Sequence, residues 1–131
     1  MFFRKLMAGA ALSAALLSGP AFAQQPTPEQ IEMIYTMTRN QQGIFEYCQG
    51  KGMVNPEAVA LQRRMVTLMP APASTAAGDA AYARGQAGTM VAGPQTIVLA
   101  EAAKTQGVTE QALCSSMAEA VKKAAASLPP G

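Results

Sequence analysis

A chain of 131 residues with no histidine, two cysteines and a formal charge of +2 offers little material for catalysis. Acid–base and nucleophilic chemistry draw on His, paired carboxylates or a hydroxyl or thiol beside a base, so the composition argues against an enzyme. The excess charge sits on Arg4 and Lys5; from Gln24 onward eight basic side chains meet eight acidic ones, which leaves no basic surface for nucleic acid.

Arg4 and Lys5 stand before an uncharged run from Leu6 to Leu17. Ser18-Gly19-Pro20 breaks that run, and Ala21-Phe22-Ala23 then places small residues where a signal peptidase requires them. This predicts a signal peptide over 1–23, with Ala21, Ala23 and Gln24 framing the cleavage site, and one domain over 24–131 in the periplasm or outside the cell. The apolar run of 12 residues is short of the roughly 20 that an anchoring helix needs. Three of the four Phe leave with the leader, so the core must be built from aliphatic residues, Met and Ala.

Thr27-Pro28-Glu29-Gln30 reads as a helix start, with Thr27 as N-cap, Pro28 at the first position and Gln30 placed for a capping box. Ile31, Ile34, Tyr35, Thr38, Phe45 and Cys48 then recur at three- and four-residue steps as far as Gly50-Lys51-Gly52. Gly43 is a weak point inside this helix, costing about 1 kcal/mol relative to Ala. Asn55-Pro56-Glu57 opens a second helix, with Leu61, Met65, Leu68 and Met69 as its buried stripe, Arg63 and Arg64 outside, and Pro70-Ala71-Pro72 as its stop.

Ser74 caps a third helical segment running through Asp79 and Tyr82 to Met90. Its glycines Gly78, Gly85 and Gly88 fit either a close helix approach or fraying. Gly93-Pro94 breaks the chain, and Pro94 opens a fourth helix carrying Ile97, Val98 and Leu99 as far as Gly107. Thr109 caps a fifth, whose apolar face runs Leu113, Cys114, Met117, Ala120, Val121, Ala124 and Leu128 before Pro129-Pro130. No run alternates apolar and polar residues long enough for a strand. The fold class expected is all-α, a small bundle of four or five helices.

Cys48 and Cys114 are 66 positions apart and, in an oxidising compartment, are expected to form one structural disulfide. The competing readings are a redox pair, a metal site and an intermolecular bridge. Redox pairs usually have C-x-x-C spacing, and zinc needs more ligands than two thiols in a chain without His. The bridge would tie the end of the first helix to the early part of the last.

Other constellations are plain. Ser115 and Ser116 follow Cys114 without a companion base, and the glutamates fall on separate helix faces. Met33 and Met37 lie four apart, as do Met65 and Met69; thioethers suit Cu(I), but Met is also a routine filler of cores and adaptable surfaces. No metal and no cofactor is expected. The 16 residues from Gly85 to Ala100 carry no charge; they read as a buried central hairpin of the domain rather than a spanning helix, with reorganisation onto a bilayer as the other reading.

Pro28-Glu29-Gln30-Ile31-Glu32-Met33-Ile34-Tyr35, Tyr47-Cys48-Gln49, Leu68-Met69-Pro70-Ala71-Pro72 followed by Ala77-Gly78-Asp79-Ala80, and Ala112-Leu113-Cys114 resemble a family of short exported alphaproteobacterial proteins. That family is labelled pore-forming and related to the early secretory antigenic target proteins. The resemblance spans nearly all of the mature chain, and none of its motifs names a chemistry. It implies a small, helical, exported protein able to act on membranes. From the residues themselves, the expectation is a non-enzymatic protein that binds a protein partner or a membrane surface, with pore formation as the alternative and self-association left open.

Overall fold

The computed structural model describes residues 24–130. Its central element is α1 (Pro28–Gly50), around which lie α2 (Pro56–Thr67), α3 (Ala76–Gln86), a hairpin of β1 (Thr89–Ala92) and β2 (Gln95–Val98), α4 (Leu99–Gln106) and α5 (Glu110–Ala125). The fold is thus the expected small helical bundle with one disulfide, plus one two-stranded sheet. The leader and its Ala21 and Ala23 lie outside the described residues; Gln24 is exposed just ahead of α1.

The capping box forms as the spacing predicts. The Thr27 N–H donates to Gln30 Oε1 (2.9 Å) and the Gln30 N–H donates to Thr27 Oγ1 (3.3 Å), which satisfies two of the otherwise orphaned groups at the helix start. At the other end Gly52 takes a left-handed φ of 70°. The Met53 N–H there reaches back to the Cys48 carbonyl at 2.9 Å, closing the helix as a left-handed glycine commonly does. Thr109 caps α5 by accepting from the Ala112 N–H at 3.0 Å.

Gly43 is not a weak point. On α1 it faces α3 so closely that a β-carbon there would sit 2.8 Å from the Gln86 nitrogen and overlap the Tyr82 carbonyl oxygen. Gly85 does the same in reverse, 2.9 Å from the Ile44 nitrogen. The two glycines let the helix backbones touch, so the small residues of α3 serve close approach.

The hairpin is where structure and sequence reading differ. Gly88 adopts a φ of 81° against the Tyr47 ring, which ends the helical path and sends Met90 into a strand. β1 and β2 pair antiparallel, with Met90 opposite Ile97 and Val91 opposite Thr96, around a two-residue Gly93-Pro94 turn with Gly93 at φ 60°. Pro94 therefore sits in a hairpin turn, and α4 starts only at Leu99. Glycine at the first central position is what such turns select, and the flanking Thr, Val and Ile suit strands. The uncharged segment does fold back on itself, but its arms are strands, contrary to expectation, and β2 is exposed along its length rather than buried.

Two apolar clusters share α1. Phe45 packs with Ala58, Val59, Ala118 and Val121 between α2 and α5, while Ile44 packs with Cys48, Leu99 and Cys114 toward α4 and α5. On α2 the buried residues are Ala58, Val59 and Gln62 rather than the Leu61, Met65, Leu68 and Met69 stripe. Leu61 and Met65 pack partly against the Phe45 cluster, and Leu68 is exposed. The face of α2 turned to α1 includes Gln62, whose Nε2 donates to the Thr38 backbone carbonyl at 3.1 Å and to Gln41 Oε1 at 3.3 Å.

Candidate binding groove

The N-terminal half of α1 departs from its predicted stripe. Met33, Ile34 and Met37 are 56%, 46% and 50% exposed, three large apolar side chains in two turns of helix. They border a groove between α1 and β1. Its inner part, a cavity of about 340 Å³, is lined by Ile34, Met37 and Ile44 of α1, Met90 and Val91 of β1, and Met117 of α5. Its outer part, of about 390 Å³, adds Met33, Thr36 and Gly93 and is edged by Glu29 and Glu32. Met37 and Val91 line both, so the two parts adjoin at these side chains. The Glu29 carboxyl is held below its ordinary value by a backbone hydrogen bond and by the Thr27 hydroxyl, so it is ionised at neutral pH.

One buried side chain fixes the groove's second wall. Asn40, 4% exposed, donates from Nδ2 to the carbonyl oxygens of Ala81 (2.8 Å) and Thr89 (2.9 Å). Its Oδ1 accepts from the Val91 N–H at 2.9 Å. A single amide thus ties α1 to the middle of α3 and to β1, and it occupies backbone groups of β1 that would otherwise need another partner.

The charged side chains at the middle of α1 turn to α2 and α3 instead. Arg39 donates to Gln42 Oε1 (2.7 Å) and Asp79 Oδ1 (3.3 Å) and lies 4.2 Å from the centre of the Tyr82 ring. Glu46 accepts from the Tyr82 hydroxyl, from Gln86 (2.9 Å) and from Arg63 (3.1 Å). Burial pushes the Glu46 carboxyl up, but the donors from Tyr82, Arg63, Gln86 and Gln42 together outweigh it and leave the group below its ordinary value. The same bond, with burial, raises the Tyr82 phenol. Arg39 pairs with Asp79 and Glu46 with Arg63, while Arg39 Nε is buried without a hydrogen-bond partner.

Cys48 and Cys114 are joined, with their Cα atoms 6.0 Å apart, and Met53 Sδ lies 3.8 Å from Cys114 Sγ. The two predicted methionine pairs do not line one cavity. Met33 and Met37 border the groove, whereas Met65 packs against the Phe45 cluster. Met37 shares the groove instead with Met90 and Met117, a grouping that only the hairpin and the disulfide-anchored α5 create. Ser115 lines a separate cleft of about 250 Å³ with Asn55, Gln111 and Lys122, and Ser116 is exposed. The acidic edge at Glu29 and Glu32, one turn ahead of the exposed methionines, was open to a reading from spacing alone; the part played by Asn40 was not.

Among the described residues no helix is long and apolar enough to cross a membrane. Comparison with protein-family models, with curated proteins and with solved structures finds no match to this chain.

Proposed function

We propose that the mature chain is an exported, non-enzymatic protein that acts by binding, and that the groove between α1 and β1 is its binding face, with another protein as partner. The observation that carries this reading is the half-exposure of Met33, Ile34 and Met37 beside two adjoining, mostly apolar parts of one groove. Contiguous exposed apolar surface of this kind marks interaction sites, and Met adapts to partners of varied shape. The predicted leader over 1–23 and the disulfide both fit a periplasmic or secreted setting. A protein is favoured over a membrane surface because the only charged side chains lining the groove are Glu29 and Glu32, which repel anionic lipid.

The test is site-specific photo-crosslinking of the full chain, leader included, in its native host. A probe at Met37 is expected to give one discrete protein adduct, and a probe at exposed Ser127 none. Lipid adducts only, or none at Met37, would reject the reading. Mass spectrometry of the same material is expected to show an amino terminus at Gln24; an intact leader would reject export.

A membrane-perturbing reading draws support from β2, where Ile97 and Val98 are 39% and 48% exposed within the uncharged stretch 85–100, and from the family resemblance. Dye release from anionic and neutral liposomes by the oxidised mature protein separates it. Leakage near stoichiometric protein supports a pore, and its absence under every lipid charge removes it.

A further inference from the structure

The groove's chemistry narrows the class of partner, on the premise that it is the binding face. Its inner part has no charged lining residue, and the charges at its outer part are Glu29 and Glu32. Arg39, the first basic residue of α1, is turned away to Gln42, Asp79 and Tyr82, so nothing in the lining neutralises the acidic end. Thr38, Asn40 and Gln41 are among the inner lining residues, the rest of which are apolar, so a complementary ligand is mainly apolar along its length and positively charged at one end.

Its backbone form follows from Asn40. Peptides that add as strands need unpaired N–H and C=O groups on a sheet edge. On β1 the Thr89 carbonyl and the Val91 N–H are already bonded to the Asn40 side chain, and the other edge of β1 pairs with β2. Asn40 thus takes two groups of the edge away from β2 and interrupts the ladder an added strand would need, so recognition along this wall falls mainly to side chains. Lining residues run along α1 from Glu29 to Ile44, a helical path of about 22 Å, which matches about four turns of a second helix. Thioethers from α1, β1 and α5 line the path and accept branched or aromatic anchors without a fixed shape.

We infer that the α1–β1 groove binds a basic amphipathic helix of another protein, seating its apolar stripe on Met33, Met37, Met90 and Met117 and its Lys or Arg residues against Glu29 and Glu32. The recognition is helix-in-groove, with charge setting orientation and preference.

The experiment uses the oxidised mature protein and three synthetic helical peptides of about four turns: a Leu stripe with two terminal Lys, the same stripe with Glu in their place, and a scrambled stripe with the Lys kept. Fluorescence anisotropy at low salt is expected to show the Lys peptide binding about tenfold more tightly than the Glu peptide, the size of two exposed ion pairs, and the scrambled peptide not binding. The Glu29→Gln/Glu32→Gln variant should lose the preference by weakening the Lys peptide, while the Glu peptide binds at least as tightly as before. Met33→Ser/Met37→Ser should weaken the Lys peptide at least about tenfold. These positions are exposed, so far-UV circular dichroism should show both variants folded.

Equal affinity for the Lys and Glu peptides, or an unchanged affinity in the methionine variant, overturns the inference. So does stronger binding to anionic vesicles than to the Lys peptide. No peptide binding combined with a protein adduct at Met37 overturns the basic-helix assignment and leaves the binding face standing; no peptide binding and no adduct removes both.

Discussion

The two sides of α1 are held by opposite means. Toward α3 the closest contact is backbone on backbone, where Gly43 and Gly85 present no side chain to the facing helix, and the specificity comes from the polar side chains around it, such as Asn40 and Glu46. Toward α4 and α5 the contact is Ile44, Phe45 and Cys48 against apolar partners, closed by a covalent bond. A domain with one Phe in its described part and many alanines has limited area to bury, and apolar burial is the main favourable term in folding. One interface therefore uses proximity and hydrogen bonds, and the other concentrates the large side chains and the crosslink. The groove opens between these two regimes, where α1 has left the apolar clusters and β1 covers it only in part.

Removing the crosslink tests the apolar side and carries the largest expected effect. The Cys48→Ser/Cys114→Ser variant opens a loop spanning 66 positions, for which chain entropy gives roughly 4 kcal/mol. Urea denaturation should show that loss, and hydrogen exchange should place the early opening in α4 and α5 rather than at the α1–α3 crossing. A loss below about 1 kcal/mol would mean that the apolar clusters suffice alone.

The glycine crossing is tested next by one methyl group. Gly43→Ala places a β-carbon 2.8 Å from the Gln86 nitrogen, where backbone must move, and overpacking of this kind costs about 1 to 3 kcal/mol or more. Gly50→Ala in the same helix meets nothing within 4 Å and should stabilise by about 0.5 kcal/mol. Opposite signs for the same substitution in one helix would isolate close approach from helix propensity; a shared sign would refute it.

Asn40→Leu keeps roughly the size of the side chain and deletes three hydrogen bonds at once. The Thr89 carbonyl and the Val91 N–H lose their side-chain partner, and the Ala81 carbonyl, inside α3, loses its bond to α1, which should cost about 2 kcal/mol or more and release β1 first. Faster exchange of the Val91 amide than of the β1–β2 ladder would locate the damage, and uniform destabilisation would deny Asn40 its positioning role.

α1, α2 and α5 were legible because their starts are written locally: Thr27 with Gln30, Pro56 after an Asn55 that makes no side-chain cap bond, and Thr109 at α5; the bounds of α3 and α4 were not. The disulfide was legible because two cysteines allow one intramolecular pairing. The hairpin was missed because Gly93-Pro94 reads equally as a helix break, and because helix-compatible Met90 and Ala92 mask the strand-forming Thr89, Val91, Thr96, Ile97 and Val98. The meaning of Gly43 was hidden since its partner, Gly85, lies on another helix, and propensity sees only the local cost. Half of the groove was open to reading, as Met33, Met37 and the acids before them share one helix. Met90 and Met117 join them only through tertiary packing.

The smallest expected effect falls on the polar side and depends on pH. In the fold the Glu46 carboxyl lies below its ordinary 4.5, so its contribution is fully present above that pH and is lost as pH falls through the lowered folded value. Tyr82 lies above its ordinary 10.0, so its contribution is present below that pH and is lost as pH rises through the raised value. Arg63, one of the partners, is 60% exposed, and solvent screening keeps the total under about 1 kcal/mol. Glu46→Gln removes the carboxylate at both ends of this range. Its Tm should sit slightly below that of the parent at pH 7, converge on it by pH 3, and decline less steeply than the parent above pH 10. A variant whose Tm tracks the parent in parallel across the whole range would mean that packing around the glycine crossing, not the Glu46 and Tyr82 pair, fixes the register of α3 on α1.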